Sequence, residues 1–68
     1  MFEMRVRHEG RTRRFEVREQ AGVWEVSTEE DSRVVRKVQY SDWHRVERAM
    51  MSIRLEVSAL EQQGWVAE

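Results

Sequence analysis

The sequence predicts a two-layer α+β domain: a four-stranded antiparallel meander sheet followed by one long C-terminal helix packed on one face. Three observations carry this. Apolar and polar residues alternate through most of the first forty positions, the period of a half-buried strand. Short polar stretches, two of them containing Gly10 and Gly22, interrupt the alternation three times. From Trp43 onward the apolar spacing becomes three and four, the period of an amphipathic helix.

The first strand is expected over about 2–8, with Phe2, Met4 and Val6 on one side and Glu3, Arg5 and Arg7 on the other. His8 to Thr12 form a turn in which Gly10 is free to take positive φ. A second strand over about 13–19 sets Phe15 and Val17 against Arg14, Glu16 and Arg18. Gln20, Ala21 and Gly22 turn the chain into a third strand over about 23–28, where Trp24 and Val26 oppose Val23, Glu25 and Ser27. The acidic stretch Thr28 to Ser32 turns it again. A fourth strand over about 33–40 alternates Val34, Val38 and Tyr40 with Val35, Lys37 and Gln39. Arg36 falls on the inward side and breaks the apolar row, the mark of an edge strand or of a stem laid over apolar surface. Connections of about three to five residues bring successive strands together antiparallel, hence the meander.

Ser41 reads as the helix N-cap, with Asp42 favourably placed at the positive end of the dipole. The helix is expected over about 42–63, carrying the stripe Trp43, Val46, Met50, Ile53, Val57 and Leu60 and stopping at Gly64. Trp65 and Val66 are expected to fold back onto the core. The same stripe fits a coiled-coil seam, but it lasts under three heptads and would leave the strands uncovered, so sheet packing is preferred.

A chain of 68 residues limits the fold to one domain, 1–68, and its 40% hydrophobic content with a formal net charge of -1 excludes a disordered chain. The absence of Cys removes disulfides and thiolate metal sites, and two His, His8 and His44, fall short of a conventional zinc site. No stretch approaches the roughly 18 apolar residues of a membrane span, and the start lacks a signal-peptide apolar region. A soluble, cytoplasmic protein with no membrane partner, metal or cofactor is expected. Catalytic residues are not expected either. Asp42, His44 and Glu47 lie close on a solvated helix flank, the glycines are isolated, and no serine has a nucleophile motif around it.

Two surfaces remain once the core is assigned. On the helix, Met51, Leu55 and Ala59 form a second row at spacing four, about 140–200° from the main stripe and flanked by His44 and Arg48. Three aligned apolar residues on so small a domain are best buried in a two-fold pair with a second copy. The other surface is the outer sheet face, which presents Arg5, Arg7, Arg14, Arg18 and Lys37. Its charge is segregated: residues 1–18 hold six Arg against three Glu, and 19–32 hold five acids and no base. Arg opposite Glu on neighbouring strands is ordinary pairing that keeps such a face soluble. An Arg-rich face also suits nucleic-acid phosphates, although Phe2, Phe15, Trp24 and Tyr40 all fall inward and leave no stacking platform outside.

The expected function is therefore a small non-catalytic binding module, homodimeric, with a macromolecular partner that the sequence does not name. The alternative is a nucleic-acid binder using the arginine-rich face, and an enzyme with an unrecognised site is the remote one. Four strands followed by one long helix is similar in order to the single-stranded-DNA-binding coactivator fold, whose members dimerise through their helices. That resemblance is one of topology and assigns no role to any residue.

Overall fold

A computed structural model describes residues 2–68. Strands β1 (Phe2–His8), β2 (Arg11–Gln20), β3 (Val23–Glu30) and β4 (Arg33–Tyr40) form an antiparallel meander, and α1 (Trp43–Gln62) follows and packs on one face. A short β5 (Val66–Ala67) pairs antiparallel with β1, so the order across the sheet is β4-β3-β2-β1-β5.

β1 and β4 keep the expected bounds, while β2 and β3 run longer than the alternation alone predicts because the turns are tighter. Each hairpin turns on two residues: Glu9-Gly10, Ala21-Gly22 and Asp31-Ser32, all with φ between 50° and 79°. Positive φ at both central positions is the signature of the type I′ turn, whose twist matches that of the flanking strands. The third turn has no glycine. Asp31 ties it to β2 instead, its amide donating to the Thr12 carbonyl at 2.9 Å and its carboxylate accepting from the Thr12 amide at 3.0 Å.

Register then sorts the faces. Met4 opposes Phe15 and Phe2 opposes Val17, which in turn opposes Val26 and through it Val38, a continuous inner apolar row. In β4 the alternation is broken by a bulge: Thr28 faces Arg36 while Glu29 faces Val34, and Val35 is the extra residue. Val34 therefore shares the outer face with Glu29, whereas unbroken alternation places it inside. Arg36 does face inward, and β4 is an edge strand.

The core forms where the helix stripe meets β1 and β2. Val6, Phe15, Ile53, Val57, Leu60 and Trp65 make one buried cluster, with Phe2, Met4 and Val26 packed against it. Val17 and Val46 are likewise fully buried. Trp24 lies half-buried on β3, between two strands as expected, with its ring tilted against Trp43 at 5.5 Å.

The helix ends are set by local chemistry. Asp42, not Ser41, is the N-cap: its backbone is extended and its carboxylate accepts from the His44 amide at 3.0 Å. As the N-cap residue Asp42 also brings a negative charge to the positive end of the dipole, which adds to the hydrogen bond. At the other end the Trp65 amide donates to the Leu60 carbonyl and the Gly64 amide to that of Glu61, the two bonds of a Schellman motif. Gly64 takes φ 105°, and a Cβ there would stand 3.1 Å from the His8 ring. The motif turns Trp65 down into the core beside Leu60. Val66 does not follow it: 60% exposed, it lies in β5 opposite Arg7.

Candidate interaction surfaces

On the outer sheet face the five expected cations are brought together, but with carboxylates among them. Arg14 donates to Glu3, to Glu29 at 2.7 Å and to Glu16 at 2.8 Å. Arg5 donates to Glu3 at 3.2 Å, Arg18 lies 3.3 Å from Glu16, and Lys37 lies 3.9 Å from Glu25. Arg7 has no ion pair among the described residues. The hydrogen bond from Arg14, reinforced by Arg5, holds the Glu3 carboxyl below its ordinary range against the opposing effect of partial desolvation. Glu3 in turn raises Arg14, with Glu16 and Glu29 adding to it. A phosphate arriving here would have to compete with a carboxylate at four of the five cations.

On α1 the second row faces away from the sheet. Met51 is 62% exposed and Leu55 71%, the two most exposed large apolar side chains among the described residues. Ala59 continues the row, and His44, at its start, lies 3.4 Å from Glu47 in solvent. Arg48, expected to flank this row, leans the other way and lines a groove between helix and sheet.

That groove, of about 480 Å³, is the surface the sequence did not announce. Phe15, Val26, Val38, Tyr40 and Ile53 contribute its apolar lining, and Arg36 from β4 joins Arg45 and Arg48 from α1. None of these three arginines forms an ion pair among the described residues. The one acid in the lining, Glu56, lies 3.6 Å from Arg13, whose guanidinium covers the Trp65 ring at 5.2 Å. Two signals in the sequence pointed this way: Arg36 breaking the inward row, and Arg45, Arg48 and Ser52 at helical spacing on one flank. Their convergence needs the crossing of helix over sheet, which one-dimensional pattern does not supply.

Among the described residues no cluster of His, Asp and Glu could hold a metal ion, and no helix is long and apolar enough to cross a membrane. Compared with known proteins, the chain matches no family model, no curated protein and no solved structure.

Proposed function

We propose that the protein is a non-catalytic binding module that works as a homodimer, two copies meeting through the outer row of α1. The observation behind this is the pair Met51 and Leu55, one turn apart, both mostly exposed and opposite the buried stripe. In a two-fold pair each packs against its symmetry mate or the other. Burying them removes roughly 200–300 Å² of apolar surface per subunit, a gross gain of about 10–15 kcal/mol per dimer at 25 cal/mol/Å². Rigid-body and ordering terms of about 4–15 kcal/mol oppose it, so the dimer is weak to moderate, with dissociation in the micromolar range. Sedimentation at about 100 μM tests this. The parent should run as a dimer and Met51→Glu/Leu55→Glu as a monomer with a lower, concentration-independent melting temperature. A parent that sediments as an 8.3 kDa monomer at that concentration ends the proposal.

The nucleic-acid alternative rests on five outer-face cations, four of which Glu3, Glu16, Glu25 and Glu29 already engage. The pairing disfavours it. Phosphate binding predicts salt-sensitive retention of the parent on single-stranded DNA at about 50 mM salt; elution in the void there removes the alternative.

A further inference from the structure

The edge of β4 and the arginine groove lie side by side, and together they describe a ligand. β4 is the outermost strand, so the backbone amides and carbonyls that point away from β3 face solvent. Upstream the bulge at Val35 spoils this edge for pairing. From Arg36, opposite Thr28, to Tyr40, opposite Trp24, the register is regular and the edge is straight enough to template another strand. Side chains of a strand added there would alternate as those of β4 do. One set would lie beside Arg36, Val38 and Tyr40, over the groove, and the other beside Lys37 and Gln39.

We propose that this edge and groove form a docking site for an extended acidic segment of a partner protein, added outside β4 as a further strand. Backbone pairing along Arg36–Tyr40 supplies affinity without regard to sequence. Specificity comes from the groove: an apolar or aromatic side chain opposite Val38 covers the floor made by Phe15, Val26 and Ile53, and carboxylates on either side of it meet Arg36, Arg45 and Arg48. Those three cations have no acid of their own, while Glu56 is held by Arg13, so the groove carries uncompensated positive charge that an acidic ligand neutralises. A nucleic acid suits the site less. The strand edge presents donors and acceptors at peptide spacing, and of the two aromatic rings in the lining Phe15 is buried, which leaves the half-buried Tyr40 alone and no run of stacking platforms. The site lies on a different face from Met51 and Leu55, so it stands whether or not the helix row joins two copies.

The test uses a fluorescein-labelled peptide Glu-Glu-Ser-Phe-Ser-Glu-Glu, which reads the same in parallel and antiparallel pairing, and its counterpart with Lys at every Glu. Anisotropy should show saturable binding of the acidic probe and at least tenfold weaker binding of the lysine probe. Arg36→Gln/Arg45→Gln, both exposed positions outside the core, should weaken the acidic probe at least tenfold with the melting temperature kept. Met51→Gln/Leu55→Gln, which removes the apolar row without adding charge beside Arg48, should leave its affinity unchanged. Hydrogen exchange should show alternate amides between Arg36 and Tyr40 gaining protection with peptide bound. The proposal is overturned by no binding, by equal affinity for both probes, or by indifference to the arginine changes. Tighter binding of a short oligothymidylate that the same variants abolish also overturns it, as does protection of the β4 amides that rises with protein concentration alone, since a second copy then occupies the edge.

Discussion

Strands β1 and β2 set Glu3 directly against Glu16 and Arg5 directly against Arg14, two like-charge pairs that on their own would disfavour this register. Arg14 reverses the sign by reaching diagonally to Glu3, along its own strand to Glu16 and directly across to Glu29. Arg14→Gln should therefore destabilise the protein in urea more than Arg18→Gln, because it leaves three clustered carboxylates without their shared cation; equal midpoints for the two variants would contradict this. The same cluster gives a pH dependence. The Glu3 carboxyl is held below its ordinary 4.5, so its contribution is present above about pH 4.5 and is lost as pH falls through the folded-state value. The melting temperature of Glu3→Gln should thus lie below that of the parent at neutral pH and converge with it once the pH has fallen below the lowered folded-state value; a gap that persists in acid rules out the ionised carboxylate as its source. In the core, Phe15 is fully buried, and Phe15→Ala should cost about 3–5 kcal/mol. That is as large as the whole stability expected of an unstapled domain of this size, so the variant should lack a cooperative melt. In β1, β2 and β3 alternation alone named the residues of each face, and it failed only at the β4 bulge. It did not give their register, which decides whether Arg14 meets another arginine or a glutamate.

Two elements carry local conflicts that can be relieved or worsened. Ser32 sits at φ 68°, a region costly for a residue with a Cβ, in the one hairpin turn that lacks glycine. Ser32→Gly creates the favoured Asp-Gly pair of a type I′ turn and should stabilise by about 0.5–1 kcal/mol after the extra unfolded-state entropy of glycine is deducted. A neutral or destabilising result in denaturant unfolding would mean that Asp31, tied to Thr12, already holds the turn without strain. At the start of α1, Asp42→Ala removes the cap on the His44 amide and should destabilise by about 1 kcal/mol, whereas Ser41→Ala should change little. These were the least legible features. Strand and helix periods are written in the apolar residues, but Thr28, Glu29 and Glu30 read as a turn by composition and extend β3 because tertiary pairing with Arg36, Val34 and Arg33 outweighs their propensity. Ser41 and Asp42 are both good caps, and only backbone geometry chooses between adjacent candidates.

At the scale of the molecule, the layers and meander follow from the order of periods along the chain, whereas the groove does not. It exists because the helix buries Ile53, Val57 and Leu60 against the β1–β2 side and leaves Arg45 and Arg48 overhanging the β3–β4 side. The fifth strand was hidden for a different reason: two residues are too few to show a period, and Val66 looked like core. Yet β5 governs how copies of this sheet can meet. Val66 and Ala67 cover β1 at Arg7 and Val6, the Glu68 amide closes on the Arg5 carbonyl at 3.0 Å, and the uncovered remainder is shorter than an ordinary strand. Removing residues 66–68 should expose that margin and produce light scattering that grows with protein concentration, under conditions where the full chain stays clear; a clear solution of the truncated chain would show that the margin is protected by something else. With β5 in place the far side of the sheet offers only the outer edge of a two-residue strand and a stub of β1, so among the described residues β4 is the one edge long enough to accept a strand, and a chain reaction of sheets has little to grow from beyond its first link.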